Sequence, residues 1–171
     1  MGSNNHELSL NELKRCVNND EGFETFEKIL EECKKYYKVV FCKSELSYPY
    51  IDATAYYGKA VRIKIGKSLS WHDISSILIH EHGHMIENKY LDKHYENLTC
   101  LCEARAWENG IKHFSKLKIL PRIDALHRSI LLSVSSYLSN FCEERDIGYD
   151  ELKYLHDFVT HNMILKPINN I

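Results

Sequence analysis

Several classes of protein are excluded by what this chain has little of. Lys and Arg number 22 against 24 Asp and Glu in 171 residues, so neither sign of charge prevails. A nucleic-acid-binding surface normally shows a clustered excess of Lys and Arg. Here the densest basic run, Lys112 to Lys118, reads as a solvated helix face, and no nucleic-acid partner is expected. No apolar stretch approaches the roughly 20 residues that span a bilayer, so no membrane partner is expected either. The first residues, Met1-Gly2-Ser3-Asn4-Asn5-His6-Glu7, lack the apolar segment of a secretory leader. Repeats and low-complexity linkers are also lacking. The length suits one ample hydrophobic core and is short for two. These features together predict a single cytoplasmic domain over residues 1–171, with its core at about 23–121 and a helical layer at about 122–165. In that compartment the six cysteines, at 16, 33, 42, 100, 102 and 142, are expected as reduced thiols, with Cys100-x-Cys102 as helix packing.

What the chain does contain is concentrated in His80-Glu81-His82-Gly83-His84, an H-E-x-x-H string flanked by Ile77-Leu78-Ile79 and Met85-Ile86. Residues four apart on a helix point the same way, so His80 and His84 can offer two imidazole nitrogens to one metal ion. Glu81 projects beside them, placed to take a proton from a water held at the metal. Ser70-Trp71-His72-Asp73 supplies a helix start, with Ser70 as N-cap and Asp73 in the first turn. No proline follows before about Lys89. Ile74, Leu78 and Met85 fall on one arc and Ile79 and Ile86 on another, and a helix apolar on two sides is a buried one. His80, Glu81 and His84 share a further arc with Ile77. His82 points about 160° away from His80 by helix geometry and is not a ligand. Gly83 costs helix stability, which predicts that another backbone packs closely against it.

A third ligand is required, and Glu103 is the strongest candidate. Residues from Asn97 to about Leu117 have helical periodicity, and Glu103 lies on the apolar stripe of Trp107, Gly110, Phe114 and Leu117. A carboxylate on a buried stripe is costly unless a cation neutralises it. Tyr90 occupies the place where metzincin-type proteases carry a third His. His94 is the leading rival, and Cys42, Cys100 and Cys102 are weaker thiolate candidates. A donor for the developing oxyanion is expected among Tyr90, Tyr95, His113, His127 and Tyr137, and sequence does not choose between them.

The remaining elements are simple to read. Glu7–Cys16 and Phe23–Tyr37 predict helices, and Val39-Val40-Phe41 a short strand. Ala53–Tyr57 and Ala60–Ile65 predict a hairpin around Gly58-Lys59, Val61, Ile63 and Ile65 alternating with Arg62 and Lys64. After Pro121, helices are expected over about 122–144 and 150–161. The fold class is therefore α+β: mostly helical, with a small sheet and a helix that carries the H-E-x-x-H string. The Ala60–Ile65 strand either lines the cleft and pairs with an extended peptide or is a plain sheet strand with no ligand, and sequence does not separate the two.

His80-Glu81-x-Gly83-His84 followed by Glu103-Ala104-Arg105-Ala106-Trp107 resembles the ImmA/IrrE-type metallopeptidases, whose pattern is H-E-x-G-H and then a glutamate-alanine helix. The resemblance covers roughly Val39 to Pro121. It implies a gluzincin-like fold, His80, His84 and Glu103 as ligands to one Zn2+ per chain, Glu81 as general base, and a protein or peptide as substrate. The chain departs from the pattern in its longer stretch from Ala106 to Pro121 and in showing no helix-turn-helix module. The competing expectation is a non-catalytic metal-binding interaction domain of the same fold. A general base has no use in such a domain, and structural zinc sites tend to be closed by four protein ligands.

Overall fold

The computed structural model describes residues 7–17, 19–43, 51–56, 60–66, 69–87 and 99–165. It is α+β and mostly helical, in the order α1 (Leu10–Cys16), α2 (Phe23–Lys34), β1 (Lys38–Lys43), β2 (Ile51–Tyr56), β3 (Ala60–Ile65), α3 (Trp71–Glu87), α4 (Thr99–Lys116), α5 (Ile123–Asn140) and α6 (Tyr149–Leu165). No helix among the described residues is long and apolar enough to cross a membrane.

Local chemistry accounts for most of the boundaries. α1 begins three residues later than periodicity predicts because Ser9 caps it. Its hydroxyl accepts from the Glu12 amide, and the Glu12 carboxylate accepts from the Ser9 amide. Glu7, left outside the helix, bridges to Cys42 and so extends along β1. α2 ends at Lys34, short of the expected Tyr37, which instead turns inward. α3 starts as expected: the Ser70 hydroxyl accepts from the Asp73 amide at 3.2 Å, and the Asp73 carboxylate accepts from the Ser70 amide at 3.0 Å. Arg128, on α5, clamps the same carboxylate at 2.7 Å.

The sheet has three strands in the order β1-β3-β2. The hairpin forms, with Tyr56 opposite Ala60 and Ile51 opposite Ile65. β1 then pairs in parallel with the other side of β3, Val39 opposite Val61 and Phe41 opposite Ile63. This favours the plain-strand reading of Ala60–Ile65. A strand bonded on both sides has its backbone donors and acceptors already committed, so β3 cannot also take a peptide. The alternation itself is as predicted, Val61, Ile63 and Ile65 being buried.

Two apolar clusters hold the elements together. One joins Phe26, Ile29 and Leu30 of α2 to Val61, Ile63 and Ile65 of β3 and to Trp71, Ile74 and Leu78 of α3, with Phe114 of α4. The other joins Cys100, Ala104 and Trp107 of α4 to Leu126, Ile130 and Val134 of α5 and Leu152 and Val159 of α6. α3 and α4 lie between the two and pack very closely. A Cβ at Gly83 would sit 1.8 Å from the Ala106 carbonyl oxygen, and one at Gly110 would sit 2.0 Å from that of Ile79. The two glycines let the helix backbones touch at two successive points, which explains the cost of a glycine at position 83. Ile86, expected in the core, is 42% exposed near the end of α3.

The cysteines differ from expectation. Cys100, in the first turn of α4, forms a disulfide with Cys142 just beyond α5, while Cys16, Cys33, Cys42 and Cys102 are not in disulfides.

Candidate metal centre

The close approach of α3 and α4 brings together the three residues that the sequence nominates. His80 and His84 project from one face of α3, and Glu103 meets them from the inner stripe of α4. His80 Nε2 lies 3.1 Å from His84 Nε2 and 3.1 Å from Glu103 Oε2, and His84 Nε2 lies 3.3 Å from Glu103 Oε1. His80 and Glu103 are buried, at 5% and 6% exposure, and His84 is partly exposed. Among the described residues this is the one group of three or more His, Cys, Asp or Glu side chains with converging donor atoms.

The spacing fits a metal ion. Donors about 2.0–2.2 Å from a tetrahedral ion stand about 3.3–3.5 Å from one another. The three separations here fall within a few tenths of an ångström of that. Hydrogen bonding accounts for the cluster less well. Glu103 Oε2 is buried with no hydrogen-bond partner despite its closeness to His80, and His80 Nδ1 is likewise buried and unpartnered. The atoms converge on a common point more than they bond to each other. Burial acts to push the Glu103 carboxyl up, yet His80 and His84 hold it down at about 2. It is therefore ionised at neutral pH, as a ligand must be. The His80 ring is backed by Trp107, with centroids 4.5 Å apart.

Glu81 is buried beside its neighbour His80, at 6% exposure. Its charge is felt at two phenols: burial first, and then nearby anions that include Glu81, push up both Tyr37 and Tyr137.

The thiolate rivals separate from the site. Cys100 is committed to Cys142, and neither Cys42 nor Cys102 belongs to the converging group. His94, Tyr90 and Tyr95 lie outside the described residues. Of the remaining oxyanion-donor candidates, His113 is 3.3 Å from Glu32 and packs on His82, with centroids 4.5 Å apart. Tyr137, from α5, packs against the apolar cluster that contains Ala104 and Trp107 of α4.

His82 stands apart from the metal group, as predicted, and its role is one that the sequence hides. It is fully buried, with Nδ1 3.0 Å from the Tyr37 hydroxyl and its ring against Phe114 and His113. Burial, with His113 adding to it, lowers its pKa to about 4. A neutral imidazole thus ties the back of α3 to Tyr37, between α2 and β1, and to α4. A polar residue between His80 and His84 on a buried helix is the only sequence signal for it.

No family model, curated protein or solved structure matches this chain.

Proposed function

We propose that the protein is a zinc-dependent metallopeptidase with a zincin-like fold, consistent with its resemblance to the ImmA/IrrE type. The observation that carries this reading is the convergence of His80, His84 and Glu103 with Glu81 buried alongside. Three protein donors leave a tetrahedral ion one open position, as in catalytic zinc sites and unlike closed structural ones. Two imidazoles and one carboxylate are also a donor set that catalytic zinc takes. Zinc held there would supply Lewis acidity to a peptide carbonyl and to a water near it. Glu81 takes a proton from the attacking water as its oxygen bonds to the carbonyl carbon, then gives that proton to the amine nitrogen as the C–N bond breaks. Burial among apolar neighbours strengthens such charge-dependent steps by excluding bulk water.

The substrate strand has a better host than β3. β2 is the outer strand on the α3 side of the sheet, pairing with β3 by one edge and running beside the metal helix. Its outer backbone edge is the place where an extended peptide adds by main-chain hydrogen bonds. At the opposite end of the sheet, β1 is already engaged in part by residues 7 and 8, through the Glu7–Cys42 bridge and the 2.7 Å bond from the Leu8 amide to the Phe41 carbonyl.

Two measurements test the reading. Zinc-loaded protein is incubated with a proteome-derived peptide library, with Glu81→Gln as control, and new amino termini are sequenced. New termini appearing only with the parent support the enzyme, whereas identical patterns from both remove it. For the strand, amide exchange in Glu81→Gln with a bound cleavable peptide is expected to slow at residues 51–56. Slowing confined to other segments would exclude β2 as the binding edge.

A further inference from the structure

The disulfide enters α4 one turn before the carboxylate that this helix brings to the metal centre. Cys100 is the second residue of α4, fully buried in the cluster of Ala104 and Trp107, and Glu103 follows three residues later. In an α-helix each amide bonds the carbonyl four residues before it, so the Glu103 amide depends on Thr99, where α4 begins. The backbone of Glu103 is therefore held helical by the first turn. That turn has little of its own to hold it. It carries no acidic side chain to meet the positive end of the helix dipole. Helix ends are also the parts that open most readily.

What fastens it is the connection between α5 and α6. Cys142, just beyond α5, is bonded to Cys100, and a Cβ at Gly148 would stand 2.4 Å from the Cα of Leu101. One covalent bond and one backbone contact thus secure adjacent residues of the first turn. The connection is itself firm. The Phe141 and Cys142 amides donate to the Tyr137 carbonyl at 2.9 and 3.1 Å. The Glu143 amide donates to the Asp146 carboxylate at 2.7 Å, and the Tyr149 amide to the Asp146 carbonyl at 3.1 Å. Beyond Glu103 the anchorage is separate, because Gly83 meets Ala106 and Gly110 meets Ile79. Glu103 lies at the border between a part of α4 fixed to α3 and a part fixed through the disulfide.

We propose that the Cys100–Cys142 disulfide is a redox switch for the metal centre: opening it frees the first turn of α4, and Glu103 then meets His80 and His84 less firmly. The inference rests on the metal-site part of the functional reading and is independent of whether a peptide is cleaved. Cys142 is partly exposed and Cys100 is buried, so Cys142 Sγ is the atom that a reductant reaches, and exposed disulfides are the labile ones. A dithiol is the class of reductant required. Its first thiolate bonds to Cys142 Sγ as the S–S bond breaks, and Cys100 leaves as a thiolate that takes up a proton. Its second thiolate then bonds to the first sulfur of the reductant, and Cys142 leaves and is protonated in turn. Two electrons pass to the protein, and the dithiol ends as a disulfide. Coupling between two sites changes affinity by about 5–150-fold, and bound metal resists the reduction by the same factor.

The test compares zinc affinity, by competition with a chromophoric chelator, in the oxidised parent, the reduced parent and Cys142→Ser. The parent is reduced with a phosphine and desalted without oxygen, since added thiolates would themselves take zinc. Zinc affinity is expected to fall by about tenfold in the reduced parent and in Cys142→Ser alike. Reductant is expected to change nothing further in Cys142→Ser, which clears the other thiols of the effect. In metal-free protein, amide exchange is expected to quicken at residues 100–104 on reduction and to stay slow at 106–110. Zinc is expected to lower the midpoint potential of the disulfide by about 30 mV, the equivalent of tenfold for a two-electron couple. A cross-link that only stabilises the whole fold moves the melting temperature and leaves zinc affinity and potential alone. Should Cys142→Ser not fold, the reduced parent, which keeps both sulfurs, carries the comparison. Equal zinc affinity in the oxidised and reduced protein overturns the proposal. A chain that binds no zinc in either state overturns the metal-site reading and the switch with it. A tenfold fall in a protein that cleaves nothing supports the switch and overturns the peptidase reading alone.

Discussion

Glu81→Gln is expected to keep one zinc per chain and the parent's melting temperature while losing peptide hydrolysis by at least about a hundredfold. Glutamine matches glutamate in size and polarity, so the buried position beside His80 stays filled. It cannot accept and return a proton at neutral pH, and that is the one property the substitution removes. Glu81 is not among the converging metal donors, so the metal content has no reason to change. Loss of metal together with activity would make Glu81 a structural member of the site. Undiminished cleavage would remove it from the chemistry altogether.

Gly83→Ala sets two effects of opposite sign against each other. Alanine is the better helix former by about 1 kcal/mol, so an isolated α3 would gain from the change. In the folded protein its Cβ would stand 1.8 Å from the Ala106 carbonyl oxygen, and a backbone atom has no rotamer by which to withdraw. α3 and α4 must then move apart by more than an ångström, forfeiting contacts on both sides of the pair. Overpacking of this kind costs about 1–3 kcal/mol for added methylenes in a core, and a clash between two backbones belongs at or above the upper end. We expect a net loss of about 3 kcal/mol, or roughly 6–12 °C in melting temperature for a chain of this size. Because Glu103 lies one turn before Ala106, zinc affinity is expected to fall as well, even at temperatures where the protein remains folded. A melting temperature at or above that of the parent would show that the two helices are not held at contact distance.

The parts of this site that are legible in the sequence are those set by a single helix. His80 and His84 share a face because 3.6 residues make a turn, and nothing remote alters that. Glu103 is legible because a carboxylate four residues from Trp107 on an apolar stripe needs a cation. Gly83 is legible because its cost in a helix demands a neighbour, and the neighbour is Ala106. What the sequence withholds depends on pairings between distant segments. The alternation of Val61, Ile63 and Ile65 reports one buried face, but says nothing of how many strands flank β3. The parallel partner β1 returns through a long connection with no local signature. Cys100 and Cys142 are separated by 42 residues, and no spacing rule selects that pair from six cysteines. Tyr137 is named among the possible donors, but only the structure shows it packed on the cluster of Ala104 and Trp107. The tie between His82 and Tyr37 is hidden for the same reason.

The most direct measurement is the metal content of purified protein, for the parent and for His80→Ala and His84→Ala, alongside the melting temperature of each metal-free form. Each histidine supplies one of the three converging donors, and two donors do not hold zinc stoichiometrically against a chelator. The account predicts one zinc per parent chain and essentially none in either variant, with the metal-free folds intact. Full zinc content in both variants would place the ion elsewhere and contradict the site at its foundation.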